Sequence, residues 1–422
     1  MTAAQRILDE LKEFQLTRGL FETSPGRMEM LDFEGGRVPR LYNEYWTSRQ
    51  RQGHSLHELS YRACFKSELP RFFIERLSEP GDLVLDPFMG RGTTPLEAAL
   101  LGRVPCGNDV NPLSRILLEP RLDPPDLVDI RSRLEQMPAE LSDPGPGPGE
   151  PDLEPFYAPG TLGALRALRR WFINDEHAGR RDHVDAWLRM VATNRLTGHS
   201  KGFFSGRTMP PNQAVSSETQ RKLNARHGEE VPERDVLAIL EKKSRSLLRS
   251  LTDGERRLLG SVRGQGRFFT GEAARLDGLE SDSVQLTVTS PPFLDVIDYA
   301  KDNWLRCWFN GIDAGAIDEK ITTTSKLEPW CEIMQACFRE LHRVTRPGGW
   351  VVFEVGEVRG GKLLLEEPVL PLATAEGFDA ISVLVHEQDF TKTANCWGVS
   401  NNSKGTNTNR MVLLQKPAAG EA

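Results

Sequence analysis

The sequence lacks long apolar runs and paired cysteine motifs. Among its 422 residues there is no stretch of 18 apolar residues, which argues against a membrane-spanning helix. Its six cysteines form no CxxC pair, and no histidine stands beside them at the spacing of a zinc site. The opening MTAAQRILDELKEF predicts a short amphipathic helix and lacks the apolar centre of a secretory signal. We therefore expect a reduced, cytoplasmic protein with no metal and no membrane attachment.

The chain as a whole lacks a positive net charge, but one segment of it is basic. The net charge is −7, yet residues 161–270 hold 21 Lys and Arg against 12 Asp and Glu. That segment carries +9, so the remainder carries −16. A basic segment within an acidic chain is what phosphate binding needs locally, although solvated helix faces explain the charge equally well.

The hydrophobic pattern predicts an α/β fold interrupted by a helical segment. Short apolar runs at Leu83–Leu85 and Val104–Cys106 predict strands before the proline- and glycine-rich stretch 142–151, which predicts an exposed linker. Residues 161–260 have apolar positions at helical spacing. Strand patterns then return at Val284–Thr289, Trp350–Val355 and Ile381–Val385. Strands on both sides of a helical stretch indicate one sheet domain with an inserted second domain.

A glycine-rich turn follows the first of these strands in VLDPFMGRGTTPLEAALLGR (84–103). Gly90 and Gly92 between a strand and a helix would let the backbone approach a ligand closely at the helix N-terminus. The dinucleotide fingerprint requires a third glycine where Pro95 stands, which argues against nicotinamide and flavin cofactors.

A second acidic residue, Asp109, ends the next predicted strand. A carboxylate there suits the two hydroxyls of a ribose, although a simple helix cap is the alternative. Thr93 and Thr94 either form an ordinary first helical turn or bind a ligand carboxylate through their hydroxyls. Pro105-Cys106 matches the nucleophile pair of cytosine C5 methyltransferases, but its position before the strand end favours a buried structural cysteine.

The stretch VTSPPFLDVIDY (288–299) is the most informative about the class of protein. DPFMGRGTT together with TSPPF resembles the exocyclic-amino DNA methyltransferases, specifically the cytosine-N4 branch. GEAARL (271–276), LHRVTRPGGWVVFEVG (341–356) and SYRACFKSELPRFFIERLSEPGD (60–82) resemble further segments of that family. The resemblance covers about 60–130 and 268–416.

The resemblance implies a class I S-adenosylmethionine-dependent methyltransferase fold, which is Rossmann-like. It implies that S-adenosyl-L-methionine is bound by residues of the first motif, the second acid and the GEAARL segment: Asp86, Phe88, Gly90, Gly92, Thr93, Thr94, Asp109 and Ala273. It implies a catalytic motif formed by Ser290, Pro291, Pro292 and Phe293.

The residue types of this motif also suit methyl transfer to an amine when the family resemblance is set aside. An exocyclic amine is a poor nucleophile because its lone pair is delocalised into the base ring. The Ser290 hydroxyl and the Pro291 carbonyl can each accept an N–H hydrogen bond and so aim that lone pair at a methyl group. Two prolines keep Ser290 extended, and Phe293 offers a face on which a flipped base can stack. No covalent intermediate and no metal is required.

The order of the motifs places the basic helical segment between the two halves. We expect residues 1–130 and 268–416 to form the methyltransferase domain, 131–267 to form an inserted target-recognition domain, and 417–422 to form a tail. Arg207, Asn212 and Gln213 are side chains that can recognise guanine or adenine edges in double-stranded DNA.

Several alternatives stay open at this point. The chain could be an adenine-N6 DNA methyltransferase, an RNA guanine-N2 methyltransferase, or a non-catalytic S-adenosylmethionine-binding regulator that binds DNA. A cognate restriction endonuclease partner and the oligomeric state are also open. So are the roles of Glu272, Asp295, Asp298 and the polar segment 391–410.

Overall fold

The computed structural model describes most of the chain. The described residues are 2–18, 21–22, 26–46, 53–62, 64–137, 141–177, 182–208, 214–228, 230–292, 294, 299–318, 324, 326–358, 361–387 and 408–418. Within these ranges, no helix combines the length and the apolar character needed to cross a bilayer.

Fourteen α-helices occur in the described residues. They are α1 Ala3–Glu13, α2 Glu68–Leu77, α3 Thr93–Leu100, α4 Leu113–Leu122, α5 Leu127–Gln136, α6 Pro159–His177, α7 His183–Arg195, α8 Ser217–His227, α9 Val236–Leu248, α10 Asp253–Val262, α11 Tyr299–Asn310, α12 Ala314–Asp318, α13 Leu327–Val344 and α14 Glu366–Ala375. A 3-10 helix spans Ser55–His57.

The same ranges contain thirteen strands. They are β1 Thr17–Arg18, β2 Phe21–Glu22, β3 Arg27–Phe33, β4 Gly36–Asn43, β5 Leu83–Asp86, β6 Val104–Asp109, β7 Arg267–Thr270, β8 Val284–Thr289, β9 Thr345–Val355, β10 Glu357–Val358, β11 Leu363–Leu364, β12 Asp379–His386 and β13 Asn409–Gln415.

Nine of the described strands form one sheet in the order β3-β4-β12-β13-β9-β8-β5-β6-β7. Neighbours from β9 to β7 run parallel, whereas β13 is antiparallel to both β9 and β12. The chain goes from β5 to β6 on one side and later from β8 to β9 on the other. This reversal opens a crevice at the carboxyl ends of β5 and β8, where ligands bind in open α/β sheets. The structure therefore confirms the predicted α/β, Rossmann-like class.

Three hydrophobic clusters hold these layers together. One sheet face buries Val351 and Phe353 against α13 and α14, and the opposite face buries Val288 and Val352 against α1 and α2. The third cluster joins side chains of α3 and α4, such as Leu96, to side chains of α5, α6, α7, α9 and α10. The helical segment thus shares a continuous core with the sheet domain, and the boundaries at 130 and 267 stay predictions.

The strand predictions are confirmed in position and differ at their ends. The strand expected at Trp350–Val355 begins earlier, because Pro347, Gly348 and Gly349 lie within β9. The register of β9 against β8 shifts between Val284 and Leu286, which lets β9 carry this irregular stretch. The expected helix at 295–309 begins at Tyr299 among the described residues.

Candidate active site

A cavity of about 420 Å³ opens at the carboxyl edge of the sheet. Its wall includes residues that follow four neighbouring strands: Gly90 after β5, Asp109 at the end of β6, Glu272 after β7 and Ser290 after β8. We call the part around Gly90 and Asp109 the Asp109 end, and the part around Ser290 and Pro292 the Ser290 end. Its size falls within the roughly 300–1,000 Å³ of typical small-molecule sites.

The glycine-rich turn shapes the Asp109 end. Gly92 has a φ of +77° and caps α3, and a Cβ there would lie 2.7 Å from Leu118 Cδ1. Gly90 has a φ of +50° and approaches the ring of Tyr61, which also lines the cavity. Both positions favour glycine because left-handed backbone strains other side chains, and at Gly92 the packing also forbids one.

Asp109 is fixed by backbone donors from two turns. Its Oδ2 accepts the Gly90 N–H at 2.8 Å, and its Oδ1 accepts the Asn111 N–H at 2.9 Å. Burial raises the pKa of the Asp109 carboxyl. A carboxylate oxygen can accept more than one hydrogen bond, so Asp109 can accept hydroxyl groups from a ligand in the cavity in addition to these backbone donors.

The predicted cofactor residues fall into two groups. Phe88, Gly90, Asp109 and Ala273 line the cavity. The other four, Asp86, Gly92, Thr93 and Thr94, lie behind its wall and are not among the lining residues. Their contact with a cofactor stays a prediction.

The residues behind the wall join the turn to the neighbouring strand. Thr94 donates its hydroxyl to the Val288 carbonyl at 3.0 Å, and Thr289 donates to Asp86 Oδ1 at 2.6 Å. Burial raises the pKa of Asp86 to about 7, and the nearby Asp109 carboxylate contributes in the same direction. These hydrogen bonds tie the glycine-rich turn to β8, which leads into Ser290.

The Ser290 end is formed where β8 stops. Ser290 and Pro292 line the cavity, and Pro291 between them is buried. Trp330 on α13 also lines the cavity, and its Nε1 donates to the Pro292 carbonyl at 3.0 Å. Phe293, Asp295 and Asp298 lie outside the described residues, as does the segment 391–407.

Sequence reasoning missed an acidic residue beside Ser290. Glu354 on β9 is 4% exposed, its carboxyl lies beside the Ser290 hydroxyl, and its Oε1 accepts Asn409 Nδ2 at 2.8 Å. Burial raises the pKa of Glu354 to about 7. The signal available in the sequence was a single acid within the apolar run WVVFEV, which is costly to bury without a role.

The sequence also drew attention to Cys106 and to metal binding. Cys106 on β6 is fully buried, and burial raises the pKa of its thiol to about 12. A thiol that stays protonated is a poor nucleophile, which favours the structural interpretation of this residue. Over the described part of the chain, no cluster of His, Cys, Asp and Glu could hold a metal ion.

Arg207 lies in the helical segment, away from the main cavity. It is exposed and lines a second cavity of about 600 Å³ together with His199, Lys201 and Arg234. Its backbone forms a β-bridge with Gly198, which holds together the two ends of the loop between these residues. Asn212 and Gln213 lie outside the described residues, so their role as base readers stays a prediction.

Comparison with protein families gives a match for residues 24–113. The matching model is that of the N6/N4 DNA methylase family. This segment resembles DNA methylases. It contains β5, the glycine-rich turn and Asp109, whereas Ser290 and Glu354 lie outside it.

Curated relatives match similarly short segments. The type II methyltransferase M.BsoBI of Geobacillus stearothermophilus is 42% identical over 72 residues, which is 17% of this chain and 14% of that protein. M.MjaII of Methanocaldococcus jannaschii is 30% identical over 89 residues, covering 21% of this chain and 16% of the relative. M1.MboII of Moraxella bovis is 42% identical over 77 residues, covering 17% and 30%. These matches support the resemblance to exocyclic-amino DNA methyltransferases, while the chain spans less than a third of each relative's length.

Solved structures resemble the chain only distantly. The rRNA methyltransferase aviRa of Streptomyces viridochromogenes has a TM-score of 0.35 at 12% identity, covering 88% of this chain and 96% of its own. TrmN of Thermus thermophilus has a TM-score of 0.31 at 14% identity, covering 86% and 51%. Another Thermus thermophilus protein, provisionally named a DNA modification methylase and solved with S-adenosyl-L-methionine, has a TM-score of 0.23 at 22% identity, covering 36% and 56%.

Proposed function

We propose that the protein transfers a methyl group from S-adenosyl-L-methionine to an exocyclic amine of a base in duplex DNA, namely N4 of cytosine. The observation that carries this proposal is one cavity with two chemically different ends. The Asp109 end offers a carboxylate for ribose hydroxyls, and the Ser290 end offers a hydroxyl acceptor for an amine, next to Pro291, whose carbonyl would be the second acceptor. The match of residues 24–113 to DNA methylases supports the choice of cofactor and substrate class.

The residues of the Asp109 end fit the cofactor. Asp109 would accept the two ribose hydroxyls, since its backbone donors leave lone pairs available. Phe88, Ile333 and Met334 line the same cavity and present apolar surface suited to a planar adenine ring. Glu272 is an exposed carboxylate in the wall and would face the polar groups of the cofactor.

The Ser290 end would activate the amine. The bound cofactor supplies an electrophilic methyl group on a sulfonium. Ser290 Oγ and the Pro291 carbonyl would each accept an N–H of the base, which turns the amine lone pair toward that methyl group. Trp330 holds the Pro292 carbonyl and so steadies the turn that carries both acceptors. Phe293 would stack on the flipped base.

The proposed base is cytosine because Ser290 is neutral. The adenine-N6 branch commonly has an aspartate at this position, which supplies a charged and stronger acceptor. A serine offers a weaker acceptor, and here it lies against the buried Glu354. Adenine N6 in DNA and guanine N2 in RNA are therefore outcomes that the product analysis must separate from N4-methylcytosine.

The helical segment 131–267 would recognise the DNA. Its basic cavity contains three cationic side chains, Lys201, Arg207 and Arg234, against one acid, Glu230. Such a surface suits phosphate groups, which position DNA without specifying sequence. We expect Arg207→Ala to weaken DNA binding and to reduce its salt dependence by about one released counterion, with cofactor affinity unchanged. Fluorescence anisotropy of duplex DNA at several salt concentrations measures both, and an unchanged affinity and slope would argue against this surface.

The activity itself is tested by incubating the protein with tritium-labelled S-adenosyl-L-methionine and unmethylated genomic DNA. We expect label in duplex DNA, and much less in ribosomal RNA. Label confined to RNA would replace the proposed substrate with RNA. Cofactor binding by calorimetry without any transfer would favour a non-catalytic DNA-binding regulator instead.

A further inference from the structure

A buried carboxyl lies directly beside the proposed amine acceptor. The pairing of Thr289 with Phe353 in the parallel strands β8 and β9 brings the next residues, Ser290 and Glu354, side by side at the sheet edge. Two neutral groups of the described residues lie at the Glu354 carboxyl: the Ser290 hydroxyl, and the Asn409 amide that donates to Oε1 at 2.8 Å. Neither of these two groups offsets the carboxylate charge.

The protonation of Glu354 determines what Ser290 can do. A serine hydroxyl has one hydrogen and two lone pairs, whereas an ionised carboxylate can only accept. Beside ionised Glu354 the serine hydrogen must point at the carboxylate, which leaves the Oγ lone pairs for the cavity. A protonated Glu354 can instead donate to Oγ, and the serine hydrogen then turns toward the amine lone pair that has to react.

We propose that ionised Glu354 is a positioning residue that fixes the Ser290 hydroxyl as a hydrogen-bond acceptor for the target amine. This inference rests on the proposed methyl transfer and adds a determinant of its rate. It concerns the direction of one hydroxyl and requires no additional chemical step.

In the part of the chain that the structure describes, the charged groups named below on the neighbouring elements bind partners other than Glu354. On β5, Asp86 accepts the Thr289 hydroxyl, and on β12, His386 Nδ1 accepts the Tyr45 N–H at 3.1 Å. On β13, Arg410 forms ion pairs with Glu366 and Glu357. On α2, Glu68 lies near Lys66, and on α3, Glu97 contacts His57 and Arg71. Burial is therefore the dominant influence on the proton affinity of Glu354.

A dependence on pH follows from this burial. Because the pKa of Glu354 is raised to about 7, the carboxyl gains its charge across the neutral range. The rate of methyl transfer should therefore rise with pH through about 7 and level off above it, as for a group that must be ionised.

The test is a single-turnover assay with tritium-labelled S-adenosyl-L-methionine and unmethylated duplex DNA, run from about pH 6 to about pH 8.5. We expect Glu354→Gln to slow transfer by roughly 10- to 100-fold and to abolish the rise with pH, because its neutral amide can donate to Ser290. Glu354→Asp, which keeps the charge, should retain the rise. Cofactor affinity measured by calorimetry should be unchanged in both variants.

Two controls separate positioning from a structural role. In a Ser290→Ala background, Glu354→Gln should slow transfer by less than about twofold, because it acts through the removed hydroxyl. Glu357→Gln, an acid on the neighbouring short strand, should keep the wild-type pH profile. A wild-type rate and profile in Glu354→Gln, or equal slowing in the Ser290→Ala background, would overturn the inference.

Failure to fold would not obscure the result. If circular dichroism shows that Glu354→Gln is unfolded, a flat pH profile in folded Glu354→Asp would contradict the inference, and a retained rise would support it. Wild-type protein that transfers no methyl group to DNA at any pH would contradict the proposed function, and this inference with it.

Discussion

The two ends of the cavity are built from different lengths of chain. The Asp109 end comes from one continuous segment, β5 to β6, in which a glycine-rich turn donates to the carboxylate of the next strand. The Ser290 end is assembled from β8, α13, β9 and β13, which contribute Ser290, Trp330, Glu354 and Asn409. A local motif can specify the first arrangement, whereas only the strand order of the sheet creates the second.

The largest effect is expected at the Ser290 end. Ser290→Ala should slow methyl transfer by roughly 10- to 1000-fold, because one positioned acceptor for the amine is lost. Calorimetry should show almost unchanged affinity for S-adenosyl-L-methionine. Ser283→Ala is the matched control, since that hydroxyl lies before the start of β8 and donates to the Glu280 backbone carbonyl. A rate equal to wild type in Ser290→Ala would remove the serine from the proposed mechanism.

A loss of cofactor affinity is expected at the opposite end. Asp109→Ala should weaken binding of S-adenosyl-L-methionine by roughly 1–3 kcal/mol, because polar partners lose their acceptor. Asp277→Ala, an exposed aspartate after β7, should leave binding unchanged. If a folded Asp109→Ala variant binds the cofactor as tightly as the wild type, the ribose assignment is wrong.

The buried acid behind the Asp109 end predicts a dependence of stability on pH. The pKa of Asp86 rises from 3.8 to about 7 on folding, so the fold holds the proton more tightly than the unfolded chain does. This contribution is fully present below about pH 3.8 and is lost as the pH rises through about 7.

Asp86→Asn should remove that part of the pH dependence. Between about pH 5 and pH 8, the wild type should lose roughly 2–3 kcal/mol more free energy of unfolding than the variant. Urea unfolding at both pH values measures this difference. Asp82→Asn, before the opposite end of β5, serves as the control, and identical pH dependence of Asp86→Asn and wild type would count against the raised pKa.

The smallest effect is expected from the indole that holds the Pro292 carbonyl. Trp330→Phe keeps an aromatic wall but loses one hydrogen bond, worth about 1 kcal/mol, so the turnover rate should fall several-fold with little change in cofactor KM. Trp304→Phe loses a similar bond, from Nε1 to the Ala214 carbonyl at 3.0 Å, away from the cavity. Equal effects of the two variants on the turnover rate would show that Trp330 acts through stability alone.

The same contrast explains what the sequence could predict. The strands Leu83–Asp86 and Val284–Thr289 were predictable because their short apolar runs are bounded by turn residues. The glycine-rich turn was predictable because the strand before it and the helix after it are adjacent to it in the sequence. Glu354 was missed because an acid inside an apolar strand has no local signal for its partner. Its contact with Ser290 depends on β8 and β9 pairing in one register.

The core of the helical segment was also beyond local reasoning. A linker at 142–151 and a change of pattern predict a separate domain, yet Leu96 of α3 and Trp187 of α7 belong to the same hydrophobic cluster. Helical periodicity shows that a face is apolar but does not show which layer covers it.

The most direct test of the account is mass spectrometry of nucleosides from duplex DNA treated with the protein and S-adenosyl-L-methionine. The account predicts N4-methylcytosine as the main product, because the neutral Ser290 hydroxyl and the Pro291 carbonyl act as acceptors for the cytosine amine. N6-methyladenine as the main product would contradict the assignment of the base. 5-Methylcytosine would contradict the mechanism, since that reaction needs a cysteine nucleophile and Cys106 is fully buried.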